Sequence, residues 1–181
     1  MNDNLNIESD PLLLGEKRFA SRLFTGTGKF ASNALIGPML EASGSEMITV
    51  ALRRVDPGTD KSDNILAHIP DTVTLLPNTS GARTAEEAVR IARIARESGC
   101  GDFIKIEVIK EMNYLLPDNH ETLKASEILA REGFIVLPYM MPDITVSQQL
   151  YDAGAAAVMP LGSPIGTNQG LEMKAMIRRI I

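Results

Sequence analysis

Residues Thr84 to Ile109, TAEEAVRIARIARESGCGDFIKIEVI, set a helix directly before a strand, and the fold follows from how often that unit recurs. Ala88, Ile91, Ala92 and Ala95 return at helical spacing. Thr84 can cap the first turn, with Glu87 three residues on, and Gly99 ends the run. A helix over Ala85–Ser98 is predicted. Beyond it, Asp102–Ile109 reads as a strand, because apolar and charged residues alternate there with a period of two.

Working outward, β-like runs fall at Arg22–Thr25, Glu46–Leu52, Thr72–Leu76, Asp102–Ile109, Phe134–Pro138 and Ala156–Pro160. Between them, helices are predicted at Asn33–Ala42, Asn64–Ile69, Glu121–Glu132 and Ile144–Asp152, with a last one starting near Leu171. Such alternation implies parallel strands joined by right-handed crossovers, an α/β fold. Strand starts recur at intervals of roughly 20–30 residues, as in a TIM-type (β/α)8 barrel of about 250 residues, and an open sheet is the competing closure. With 181 residues and six strands, the sequence is about two β/α units short of such a barrel. Ahead of the first unit, Leu12–Phe19 can turn a small hairpin at Gly15-Glu16-Lys17, which in a barrel could plug the N-terminal mouth. The expected organisation is a loose tail over residues 1–10 and one partial barrel domain over 11–181.

Composition narrows the function. Eighteen lysines and arginines against 23 acidic residues give a net charge of −5, so there is no positive excess to neutralise a nucleic-acid backbone. No apolar run approaches the roughly 20 residues of a membrane helix, and no secretory signal precedes Leu12, so a cytoplasmic address is expected. Cys100 is the only cysteine and His68 and His120 the only histidines, too few for a zinc cluster, and neither a metal nor a cofactor is expected. Chemistry then falls to Lys, Asp, Glu and backbone amides.

Within Phe103–Ile109, alternation puts Lys105 and Glu107 on one strand face and Ile104, Ile106 and Val108 on the other. The apolar face calls for helices, which turns both charges toward a barrel interior. Burial disfavours an ammonium while a neighbouring carboxylate favours it. An enclosed amine can condense with a ketone to an imine, and a carboxylate two residues along the strand can move the protons. The competing reading of the same spacing is a structural ion pair.

Other motifs point elsewhere or nowhere. Thr25-Gly26-Thr27-Gly28-Lys29-Phe30-Ala31 formally matches a dinucleotide G-x-G-x-x-A turn, and Arg53-Arg54 follows the second strand as an NADP phosphate clamp would. Pro77-Asn78-Thr79-Ser80-Gly81 and Gly162–Thr167 could offer amides to phosphate at the C-terminal strand ends, or be ordinary turns. Glu86, Glu87, Arg90, Arg93, Arg96 and Glu97 read as a solvated helix face.

Taken together, several segments resemble bacterial thiazole synthase of thiamine biosynthesis. They are Ser21–Lys29, Leu75–Gly81, Thr84–Ala88, Ile104–Ile109, Leu115–Asp118, Phe134–Tyr139 and Gly162–Gly166. The resemblance implies a barrel enzyme that joins 1-deoxy-D-xylulose 5-phosphate, dehydroglycine and sulfur carried as the C-terminal thiocarboxylate of a ubiquitin-like sulfur-carrier protein. It implies Lys105 as the imine-forming residue, Glu107 as the proton-transfer group and Gly166 as a backbone contact to the sugar phosphate. It also implies a homo-oligomer that associates with the carrier.

The family pattern continues through a seventh strand with a catalytic aspartate and an eighth whose Asn-Thr loop helps bind phosphate, for which residues 1–181 hold no counterpart. The 181-residue chain alone is therefore expected to be weakly active or inactive. Two rival readings carry their own expectations. A non-catalytic module would bind the carrier protein without forming an imine, and an NADP-dependent reductase would bind nicotinamide cofactor at Gly26–Ala31.

Overall fold

The computed structural model describes residues 10–51 and 64–181, and the chain divides after Leu76 into two compact units. Arg53, Arg54 and residues 1–9 lie outside the described residues. Asp10, the last residue of the expected tail, is ion-paired with Arg22 at 2.8 Å.

In the first unit, β1 (Leu12–Leu14) and β2 (Lys17–Phe19) form the expected antiparallel hairpin, with Leu12 opposite Phe19 and Leu14 opposite Lys17. Gly15 supplies the left-handed conformation (φ 59°) that this tight turn requires. Glu46 anchors the exit of the hairpin, its carboxylate accepting from the Ala20 amide at 2.8 Å. Strand β3 (Phe24–Gly26) then pairs in parallel with β4 (Met47–Ala51), Phe24 opposite Met47. The helix between them is shorter than its periodicity suggested. Ser32 caps a 3-10 turn at Asn33–Leu35, and α1 runs only from Ile36 to Ser43, where Gly44 closes it at φ 61°. Ile36 and Leu40 pack with Ile48, Val50, Ile65 and Ile69. The predicted helix at Asn64–Ile69 is instead a single 3-10 stretch, Ile65–His68. Asn64 Oδ1 accepts from the Leu66 amide at 3.1 Å, which tightens the turn. Strand β5 (Thr74–Asn78) begins in this unit, its Thr74 amide bonded to Glu46 O at 2.8 Å.

The second unit opens on the end of β5 and continues through α2 (Ala85–Glu97), β6 (Phe103–Ile106), α3 (Asn119–Arg131), β7 (Ile135–Met140), α4 (Ile144–Asp152), β8 (Met159–Pro160) and α5 (Lys174–Ile180). Its strands are parallel and hydrogen-bonded in chain order, β5-β6-β7-β8. This is the α/β pattern that the alternation predicts. Small residues let α2 lie close on the sheet. Ala85, Ala88 and Ala92 join Ile104, Ile106, Val108, Ala125, Leu129 and Val136 in one core. Burying Ile104 and Ile106 completely stabilises the unit by about 2–3 kcal/mol each.

Three sequence expectations need correction in this unit. Thr84 Oγ1 does cap α2, accepting from the Glu87 amide, but the Glu87 carboxylate reaches the Arg83 amide rather than that of Thr84. The α2 charges are only partly a solvated face. Arg93 pairs with Glu132, while Arg96 pairs with Asp102 at 2.8 Å and lies 3.3 Å over the Phe134 ring, tying α2 to the turn that leads into β7. Strand β6 also ends at Ile106 rather than Ile109, for a reason that belongs to the site.

Candidate active site

The site is built on β6. Lys105 sits opposite Asn78 of β5 and Leu137 of β7, so its backbone is fixed from both sides. Ile104, Ile106 and Val108 point into the core beneath α2 and α3, and strand alternation sends Lys105 and Glu107 to the other face. Their side chains meet there, Lys105 Nζ lying 2.8 Å from Glu107 Oε1 with only 17% and 8% of the two side chains exposed. Both residues therefore stand where alternation placed them, away from the helices and shielded from water.

Beyond Ile106 the ladder gives way to a side chain. Thr79 is fully buried, and its Oγ1 accepts from the Glu107 amide at 2.8 Å and donates to the Glu107 carbonyl at 2.9 Å. These two bonds satisfy Glu107 without a strand partner. An isolated bridge from Val108 to Ala82 then restores parallel pairing. Sequence reading treated Pro77–Gly81 as a phosphate loop or a turn; the structure keeps Pro77 and Asn78 in β5 and gives Thr79–Gly81 turn geometry. Asn78 Oδ1 accepts from the Ser80 amide, the Thr79 amide bonds Lys105 O, and the Ala82 amide bonds Thr79 O.

Tyr139 of β7 joins the pair, its ring centroid 5.4 Å from Lys105 Nζ. The ring packs with Ile109 and Leu161, and only 6% of the residue is exposed. Burial first, and then the negative charge of Glu107, push its phenol up to about 12. Among the described residues its buried hydroxyl has no hydrogen-bond partner. Sequence reading passed over it, because one tyrosine in the apolar run Phe134–Met141 reads as core.

Gly166 lies in the loop after β8, exposed and at φ 82°, a conformation that strains any side chain. That loop is braced from within. Ser163 Oγ donates to Gly170 O and accepts from the Glu172 amide, and Thr167 Oγ1 donates to Pro164 O. Gly26, read as the first glycine of a nucleotide turn, has a packing reason instead, since a Cβ there would come within 2.9 Å of Thr49 Oγ1. Cys100 is buried, which pushes its thiol up, and His120 is exposed on the first turn of α3. Among the described residues no cluster of His, Cys, Asp and Glu could hold a metal ion, and no helix is long and apolar enough to cross a membrane.

What the geometry defines is an α/β protein with a shielded amine and carboxylate, 2.8 Å apart, on the helix-free face of a parallel strand. The chain belongs to the family described as "Thiazole biosynthesis protein ThiG", which matches residues 13–181. It is 63% identical over 173 residues to a protein named thiazole synthase from Oleidesulfovibrio alaskensis, covering 96% of this chain and 65% of that protein. A thiazole synthase from Clostridioides difficile is also 63% identical, over 172 residues covering 95% of this chain and 67% of the relative. The chain thus spans about two thirds of the length of the curated relatives it matches. A crystal structure of an Amycolatopsis orientalis BexX/CysO complex superposes with a TM-score of 0.78 at 32% identity, covering 93% of this chain and 69% of the other.

Proposed function

We propose that this chain carries the imine-forming centre of a thiazole synthase. Its substrates would be 1-deoxy-D-xylulose 5-phosphate, dehydroglycine and a sulfur-carrier thiocarboxylate, and its product the thiazole phosphate of thiamine. The observation that carries the reading is the shielded 2.8 Å contact between Lys105 Nζ and Glu107 Oε1 on the face turned away from the helices. Lys105 attacks the sugar ketone. Glu107, at hydrogen-bond distance, takes and returns the protons that imine formation and the later carbonyl migration require. Gly166 presents its backbone to the sugar phosphate, and its lack of a side chain keeps that approach open.

Sequential parallel strands with helices between them, and the superposition on the BexX structure, support a TIM-type barrel as the complete architecture. A partner complex of the kind named for that structure supports a ubiquitin-like sulfur carrier as the sulfur donor. Homo-oligomerisation and a cytoplasmic location complete the reading.

The test is to incubate the protein with 1-deoxy-D-xylulose 5-phosphate, reduce with borohydride and map the adduct by peptide mass. Label on Lys105 is the expected result, and label on another lysine overturns the assignment. A carrier-binding module would retain carrier without any adduct, and a reductase would titrate with NADP.

A further inference from the structure

Among the described residues, the Tyr139 hydroxyl is a buried donor with no hydrogen-bond partner. Its ring already fills the space between Ile109 and Leu161, which a phenylalanine would fill equally well. Leaving a hydroxyl buried and unpaired costs stability, and removing it by an apolar replacement of the same shape is neutral or favourable. Strand geometry says where this donor sits. Lys105 is in register with Leu137, and Val136 joins the helix-side core, so Tyr139, two residues beyond Leu137, shares the inner face with Lys105 and Glu107. The 5.4 Å between its ring and Lys105 Nζ places the phenol beside the nitrogen that would attack a carbonyl.

We propose that Tyr139 Oη is a substrate contact, donating a hydrogen bond to the carbonyl oxygen that Lys105 displaces from a phosphorylated ketose. The inference rests on the reading of Lys105 as the imine-forming residue. In the first half of the step the Lys105 nitrogen bonds to the carbonyl carbon. The oxygen takes up one amine proton, giving a carbinolamine. The C–O bond then breaks, the oxygen leaves as water with the second amine proton, and the nitrogen lone pair closes the C=N bond. Glu107 relays both protons. Tyr139 keeps its own, as its high ionisation range allows, and stabilises the negative charge that grows on the oxygen in the first half.

Two variants of the full chain test this, with 1-deoxy-D-xylulose 5-phosphate as the probe and the borohydride-trapped adduct as the readout. Tyr139→Phe is expected to trap about tenfold more slowly, the weight of one hydrogen bond, while its thermal midpoint stays level or rises. Fluorotyrosine at position 139, a more acidic and stronger donor of nearly the same shape, is expected to trap faster than the wild type. Trapping that is unchanged in Tyr139→Phe, or that ignores phenol acidity in the fluorotyrosine protein, overturns the proposal. Should Tyr139→Phe fail to fold, the fluorotyrosine rate decides alone. A wild-type protein without adduct on Lys105 overturns the lysine reading and this inference together, whereas a Lys105 adduct indifferent to both variants overturns only the role of Tyr139.

Discussion

Thr79 holds Glu107 by both backbone groups at once, its single hydroxyl accepting from the amide at 2.8 Å and donating to the carbonyl at 2.9 Å. The arrangement stands in for a ladder rung where β6 has ended. It fixes the main chain from which the Glu107 carboxylate reaches Lys105. Because all the atoms involved are buried, no water can replace the hydroxyl without a rearrangement.

Thr79→Val keeps the shape and removes both bonds. Two buried backbone groups are left unpaired, so the expected loss is about 2–4 kcal/mol in denaturant unfolding. Thr79→Ser keeps the hydroxyl and loses only a methyl group, and should stay within about 1.5 kcal/mol of the wild type. Borohydride trapping should follow the hydroxyl, present in the serine variant and depressed in the valine variant. Equal stability of the two variants would show that the hydroxyl does not hold the strand end.

The Lys105–Glu107 pair lends itself to a double-mutant cycle. Removing one partner leaves a shielded charge alone, which in a fully enclosed pair costs ~3–5 kcal/mol. Lys105 keeps 17% exposure, so about 2 kcal/mol is expected for Lys105→Met or Glu107→Leu alone. The double variant removes both charges from the same space and should be at least as stable as the wild type, while forming no imine. A double variant well below the wild type, losing about as much as either single one, would mark the pair as a structural ion pair, the competing reading of the sequence.

What could be read in advance follows the range of the interaction that decides each feature. The α/β order and the shared face of Lys105 and Glu107 depend on residues close together in the chain, and alternation exposes them. The length of β6 does not, because the ladder after Ile106 is replaced by the Thr79 hydroxyl, 28 positions from the Glu107 it binds. Thr79 looks like a turn residue until the register of β5 with β6 is known. Tyr139 looks like core until Lys105 is placed beside it. The 3-10 turns at Asn33–Leu35 and Ile65–His68 escaped for a different reason. Ser32 and Asn64 cap them locally, and apolar spacing over three or four residues does not separate a 3-10 turn from the start of an α-helix.

Tyrosine ionisation gives a direct optical check on the enclosure of the site. Of the three tyrosines, Tyr114 and Tyr151 are 64% and 72% exposed, and Tyr139 alone is buried beside a carboxylate. Phenolate absorbance should therefore include a later phase, rising toward about 12, that belongs to Tyr139. Tyr139→Phe should delete the later phase only. The raised folded value also sets the sign of its effect on stability. Between the unfolded tyrosine range near 10 and about 12, the unfolded chain binds fewer protons, so stability falls as pH rises through that window. Absence of that later phase would mean that water reaches Tyr139.

Glu121 gives the corresponding test at acid pH, at a junction that a helix-by-helix reading does not show. It lies on α3, yet its Oε2 accepts from the amide of Ala85, the first residue of α2, at 2.8 Å, while Lys124 lies 3.3 Å and Lys110 3.7 Å from Oε1. The Ala85 amide is the foremost reason its carboxyl is held below the usual range. Burial works against that, and the two lysines reinforce it. A depressed folded value means that the stabilisation is complete above the unfolded carboxyl value of 4.5 and drains away as pH falls through the folded one. Glu121→Gln can still accept from Ala85 but loses the charge, so it should be about 1 kcal/mol less stable at neutral pH. That gap should narrow steadily below pH 4.5, where the wild type takes up its proton. Glu121→Ala strips the acceptor from an amide that is almost fully buried and should lose about 2 kcal/mol at neutral pH, a loss that shrinks in acid in step with that of Glu121→Gln. Unfolding curves for the three proteins at neutral and acid pH decide the matter, and a gap between wild type and Glu121→Gln that does not change with pH would mean that the charge of Glu121 contributes nothing to the junction.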